Sequence, residues 1–369
     1  MVWVKQNIAA FGGNPHDITI MGQSGGGWAI AAHLARANVH HRKIEIPKRR
    51  VGQTAQLYGH DQLACFRNTS VPALVDTFQT FSTVIGTDGI FTGKVFGYQG
   101  SFGPTIDGVT LTDSVTRLFR QGKIANVPTI AGSTTDEGFD GYINATQNNP
   151  MPQNTTTLDP STNRLTNLTD SQVWEAVSFY PVNASYGSVA PDNFFLSVFK
   201  AYWMALGLFG DPGIFGSERM VGRWMSQAHG PKNIWTYRFN APAVGSNYSG
   251  VYPLAPMTHS SDNSYLQSPL ASMKDFEKAI ALEFRAYISS FICTGDPNTA
   301  KLPTAPYWSH YGALGEFVNS PVRLVPQFAF KSNANKTFPT STQLEVAQKA
   351  GIERIDFWQS SHILDSIRY

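Results

Sequence analysis

The chain has 369 residues, 42% hydrophobic and 15% charged, enough length and apolar material to bury a large core. Its formal net charge of +2 lacks the electrostatic footprint of a dedicated nucleic-acid binder, and two cysteines, Cys65 and Cys293, are too few for a multi-cysteine zinc site. No stretch reaches the roughly 18 apolar residues of a membrane-spanning helix; residues 201–209 come to about half of that.

In chain order, Val4, Ile8 and Phe11 recur at helical spacing and are followed by Gly12, Gly13 and Pro15, which predicts a helix ending at a glycine cap. Residues 1–7 show no basic start followed by an apolar run, so no export signal is written there. Residues 17–21 (Asp-Ile-Thr-Ile-Met) are β-branched and apolar without alternation, which predicts a parallel strand buried on both faces. Residues 25–36, rich in Ala and Leu, continue as a helix. Five of the nine residues 42–50 are basic, a run read as a solvated loop in preference to a phosphate-binding or nuclear-targeting patch.

Residues 127–132 and 233–239 read as two further buried strands, separated by long, partly helical stretches of the kind that crossovers need. Between them, residues 148–170 are mostly Asn, Thr, Pro and Ser and read as a long surface excursion. The clearest helix begins near Ser272, with Asp275 three residues on as a capping-box pattern. It puts Phe276, Ile280, Phe284, Tyr287, Ile288 and Phe291 on one face and stops at Gly295 and Pro297. Length alone permits two domains and does not settle the count, but large α/β enzymes often run this long as one unit, and one domain over residues 1–369 is expected; no internal repeat occurs. Seven Asn-x-Ser/Thr sequons, at Asn68, Asn144, Asn154, Asn167, Asn183, Asn247 and Asn335, suit a glycosylated, secreted protein.

The chemistry concentrates at Gly22-Gln23-Ser24-Gly25-Gly26. This G-x-S-x-G run stands between a predicted strand and a predicted helix, the context in which it forms a nucleophile elbow. The glycines have a mechanical purpose there, because side chains two residues either side of Ser24 would collide as strand turns into helix. The alternative is a glycine-rich helix start that holds an anion, but no P-loop lysine and no G-x-G-x-x-G spacing accompany it. A serine needs a base to take its proton, and the base needs an acid to orient it. Four histidines, His229, His259, His310 and His362, follow the predicted strand at 127–132 and stand as candidates for the base.

The run from Trp3 to Pro15 into Ile18 through Gly26 resembles the elbow region of carboxylesterase type B proteins, which include cholinesterases and several lipases. The resemblance continues in order through Ala64-Cys65-Phe66-Arg67-Asn68, Phe102-Gly103-Pro104-Thr105-Ile106-Asp107-Gly108, Asp136-Glu137-Gly138, Thr294-Gly295-Asp296-Pro297-Asn298 and Asp356-Phe357-Trp358-Gln359. It implies an α/β-hydrolase fold, a mostly parallel sheet flanked by helices, with the chain starting just before the elbow and the N-terminal strands missing. It further implies Ser24 as nucleophile, Glu137 as acid and His259 as base, in the chain order serine, acid, histidine. The separations are 113 and 122 residues. The Gly25 amide would be one oxyanion donor.

The implied function is carboxylic ester hydrolysis through an acyl-enzyme. A small-molecule or lipid ester would be the substrate, with no cofactor, metal, nucleic-acid partner or transmembrane segment, in an extracellular setting. The alternative is a catalytically impaired fragment or a non-catalytic binding relative of the same family. Three departures bear on that choice: no His-Gly-Gly-Gly loop occurs, residues 40–50 replace a family strand ending in Ser-Gly, and neither a partner for Cys65 nor a cysteine at Ile355 is present.

Overall fold

In the computed structural model of the chain, residues 2–35, 67–73, 106, 108–138, 168–180, 207, 210–211, 216–246, 257–314, 322–327, 341–346 and 349–363 are described. The helices among them are α1 (Val2–Asn7), α2 (Gly25–Ala35), α3 (Val115–Arg120), α4 (Asp170–Ser178), α5 (Gly216–His229), α6 (Ser261–Gln267), α7 (Asp275–Thr294) and α8 (Lys349–Trp358). The strands are β1 (Thr129–Thr134), β2 (Ile234–Phe239), β3 (Val322–Gln327) and β4 (Ser341–Val346).

Parallel neighbours require the chain to cross back over the sheet, and helices supply that crossover. β1 pairs parallel with β2 in register from Thr129 opposite Ile234 to Thr134 opposite Phe239. β2 pairs parallel with β3 at Tyr237 opposite Leu324, and β3 turns antiparallel onto β4, so the order is β1-β2-β3-β4. α4 and α5 lie in the connection from β1 to β2, and α6 and α7 in that from β2 to β3.

β2 is buried on both faces because helices cover both. Ile234 enters a cluster with Leu34 and Ala35 of α2, Leu118 and Phe119 of α3, and Met220, Trp224 and Met225 of α5. Its neighbour Trp235 points the other way, as strand periodicity demands, and packs with Tyr287, Trp308 and Leu324. Phe239 shares that second face with Tyr265, Ile280 and Phe284. The predicted face of α7 is thus the one that buries, with Ile280, Phe284 and Tyr287 at most 1% exposed.

The ends of the elements follow local chemistry. The first helix closes as a 3-10 turn, Ile8–Phe11, capped by Gly12 at φ +81°, as its sequence predicts. α7 starts later than Ser272, which sits in a short 3-10 turn. The fully buried Glu277 accepts from Lys274 N–H at 2.7 Å and from Gly245 N–H at 3.1 Å, and these two backbone donors fix the start of the helix at Asp275. Gly295, at φ +75°, ends it with its amide on Phe291 O.

One expectation fails. Residues 17–21 form no strand: no described segment pairs with them, Ile20 is 40% and Met21 68% exposed, and only Thr19 Oγ1 reaches α7, at Ile292 O, 3.4 Å away. Apolar, β-branched composition makes a buried strand only when a ladder partner satisfies its backbone. The predicted surface excursion also ends sooner than expected, since Thr169 and Gln172 form a capping box that starts α4 at Asp170. The remainder of that excursion, the basic run at 42–50, Cys65, the stretch 201–206 and every sequon except the exposed Asn68 lie outside the described residues. Among the described residues no helix is long and apolar enough to cross a membrane.

Gly132 stands opposite Tyr237 in the β1–β2 ladder, and a Cβ there would fall 2.1 Å from the Tyr237 ring. That ring meets Phe284 edge-on, and its hydroxyl donates to Asp262 Oδ2 at 2.6 Å, so the glycine makes room for a link between sheet and α6. Gly132→Ala is therefore expected to cost about 1–3 kcal/mol by overpacking, read as a lower urea midpoint. Gly26→Ala, whose Cβ meets nothing within 4 Å, is not expected to lower it.

Candidate active site

The turn around Ser24 has the geometry of an elbow. Ser24 adopts φ +57°, and the only other described non-glycine residue with positive φ is Ser260 at +71°. L-residues rarely hold this conformation and do so mostly where surrounding structure imposes it, often at functional sites. Gly26 N–H donates to Gln23 O at 2.9 Å and Trp28 N–H to Ser24 O at 3.2 Å, closing the turn into α2. A Cβ on Gly22 would stand 2.5 Å from the Gly26 carbonyl carbon, so the expected steric need for glycine holds at Gly22. It does not hold at Gly26, whose own Cβ would point into open space. Gly25 is the exposed first residue of α2.

Glu137 and His259 come from the C-terminal ends of adjacent parallel strands. Glu137 lies in the turn directly after β1, and its Oε1 accepts from Thr134 N–H at 2.6 Å. His259 lies in the loop that follows β2 and leads into α6. The in-register ladder puts both exits at one edge of the sheet, where α/β enzymes place their ligands. There His259 Nδ1 meets Glu137 Oε2 at 2.6 Å, with the Glu137 side chain 4% and the His259 side chain 23% exposed. A carboxylate on Nδ1 holds the ring proton on that nitrogen and leaves Nε2 as an acceptor.

The group on Nε2 was not foreseen from sequence. Gln23 Nε2 lies 3.1 Å from His259 Nε2 and donates to Ser260 Oγ at 2.6 Å, joining the elbow to the histidine loop. Its one sequence signal is its place next to Ser24. Two of the other candidate histidines are engaged elsewhere: His229 Nε2 with Ile124 O at 2.9 Å, and His362 with Glu175 and Ser360. At His310, burial and then Lys232 lower the pKa.

Asp136, beside the acid, ties the same loop down. Its amide donates to Met257 O and its Oδ2 accepts from Met257 N–H, both at 3.0 Å, so the chain two residues before His259 is held by a closed pair of bonds. Burial pushes the Asp136 carboxyl up from 3.8 to about 7; the Met257 amide and Arg238 pull it down and Glu137 pushes it up. As pH rises from about 4 to about 7, the unfolded chain releases this proton while the folded chain retains it, so the group weighs progressively against folding. Asp136→Asn removes that dependence. The unfolding free energy of the native chain is expected to fall relative to Asp136→Asn across this window, by up to roughly 4 kcal/mol, and urea titrations at pH 4, 5.5 and 7.5 measure it.

The model of the carboxylesterase family matches residues 1–322. Lipase 5 of Diutina rugosa is 31% identical over 166 residues, 38% of this chain and 29% of that protein. Carboxylesterase 4A of Bos taurus is 26% identical over 346 residues, 84% of this chain and 58% of that protein. The chain thus spans less than two thirds of the length of these relatives. The crystal structure of Aspergillus niger EstA superposes with a TM-score of 0.66 at 22% identity, covering 100% of this chain and 68% of that one. The chain belongs to the carboxylesterase family and has its α/β-hydrolase fold.

Proposed function

We propose that this chain is the catalytic part of a serine hydrolase that cleaves carboxylic esters, with Ser24 as nucleophile, His259 as base and Glu137 as the acid that orients it. The observation that carries this reading is the 2.6 Å bond between buried Glu137 and His259 Nδ1, held at the sheet edge beside an elbow with Ser24 at φ +57°. Family membership and relatives named as lipases and carboxylesterases support the substrate class.

In the first step Ser24 Oγ attacks the ester carbonyl carbon while its proton passes to His259 Nε2. The carbonyl oxygen takes the electron pair and becomes the oxyanion, for which the Gly25 amide is the proposed donor. As the tetrahedral centre collapses, the bond to the alcohol oxygen breaks and His259 gives that oxygen its proton, leaving an acyl-Ser24. Water then attacks the acyl carbon with His259 again as base, and the acid departs as Ser24 regains its proton. Glu137 stays ionised throughout and stabilises the imidazolium. The substrate is a small-molecule or lipid ester, and the exposed sequon at Asn68 fits a secreted glycoprotein.

A fluorophosphonate probe is expected to attach to Ser24, as peptide mapping would show, and Ser24→Ala is expected to abolish labelling. Label on a different serine would remove Ser24 from the mechanism. Glu137→Gln keeps the size of the acid and removes its charge, so turnover of a nitrophenyl ester should fall on the order of 10³–10⁴-fold with the fold intact by circular dichroism. Near-native turnover in this variant would transfer the orienting role to another carboxylate.

A further inference from the structure

The amide of Gln23 occupies the nitrogen through which the proposed base must work. His259 Nε2 has one in-plane lone pair, and Gln23 Nε2 stands 3.1 Å from it. The amide has two hydrogens, and its second acceptor is Ser260 Oγ at 2.6 Å. One tautomer satisfies every partner at once: the ring proton on Nδ1 toward Glu137 Oε2, and Nε2 accepting from Gln23. Protonation of Nε2 would set two donors against each other, and the amide would have to turn over or withdraw.

The contact also joins two strained points. Ser260 at φ +71° follows His259, and Ser24 at φ +57° follows Gln23. The two segments are 236 residues apart in sequence, and the Gln23 amide bonds both the base and the residue that turns the chain after it.

We infer that Gln23 is a positioning residue, whose side-chain amide clamps His259 Nε2 and Ser260 Oγ in the unliganded protein, holding the imidazole neutral and its loop against the elbow. The inference rests on the esterase reading for its meaning, since the lone pair that Gln23 occupies is the one that takes the Ser24 proton. A donor on Nε2 stabilises the neutral ring, so the clamp keeps the base competent at lower pH. Ser24 and the amide compete for Nε2, and the amide yields when the proton is transferred.

Among the described residues, the titratable groups placed by hydrogen bonds at His259 and its loop include Glu137 on Nδ1, Asp136 bonded to Met257, and Asp262 at the start of α6, which accepts from Tyr237 of β2. None of them is altered by a change at Gln23, so two substitutions isolate the clamp. Gln23→Met removes the donor at similar length, and the His259 imidazole, followed by NMR in ¹⁵N-histidine protein, should become protonated at a pH roughly half to one unit higher than in the native chain. Gln23→Glu replaces the donor by a charged acceptor and should raise it by roughly one to two units.

The acid limb of fluorophosphonate labelling at Ser24 should move upward in the same order. A folded Gln23→Met whose imidazole titration and labelling limb both coincide with the native ones overturns the inference. If that variant does not fold, Gln23→Glu decides alone, and an unmoved imidazole titration there overturns it equally. The NMR readout needs no turnover: a native protein that labels at no pH sinks the esterase reading and leaves the clamp to be judged by the imidazole.

Discussion

The parallel pairing of β1 with β2 is the constraint on which the site depends. Register from Thr129–Ile234 to Thr134–Phe239 makes the two strands end together, and whatever follows each of them emerges at the same edge. Glu137 needs only a short turn to reach that edge, so its position is set almost entirely by β1 and by Thr134 N–H. His259 arrives by a longer path and needs additional restraint. It has three: Asp136 on Met257, Gln23 on Ser260 and Nε2, and Tyr237 on Asp262. Each of these groups lies on or next to a strand end or the elbow, so the positioning of the loop is inherited from the sheet.

Burial treats the two carboxyls beside His259 differently. Two adjacent carboxyls, Asp136 and Glu137, are both buried, at 3% and 8% exposure. They do not play equal parts. Glu137 has a histidine and a backbone amide to bond, while Asp136 has the Met257 amide and a carboxyl pushed up to about 7. Glu137 thus bonds the ring and the Thr134 amide, while Asp136 serves the backbone of the histidine loop.

Much of this arrangement could be read from sequence because it rests on local rules. The glycine-capped first helix, the helix after Ser24, the strands expected at 127–132 and 233–239 and found at 129–134 and 234–239, and the apolar face of α7 follow from spacing and turn chemistry within a few residues of each position. Misreadings arose where a distant partner decides the outcome. Residues 17–21 have the composition of a buried strand and no ladder partner among the described residues. The start of α7 moved from Ser272 to Asp275 because Glu277 found the Gly245 amide as well as its own cap. Glu137 and His259 could be named from motif resemblance, but the parts played by Gln23 and Asp136 could not, although both stand inside the same motifs. Their roles come from bonds to residues 236 and 121 positions away.

The double bond between Asp136 and Met257 separates two properties that would otherwise change together. With Phe239 fixed at the end of β2 and Met257 fixed to the turn after β1, the chain between them is anchored at both ends before it reaches the histidine. Lengthening such a segment costs little, about 0.6 kcal/mol for each doubling. Insertions between residues 246 and 257 would therefore leave His259 in place, whereas residues 240–245 are held by Ala241 in the core and by the Gly245 amide on Glu277. Foreign sequence grafted between those two anchors would leave the Glu137–His259 bond as it is.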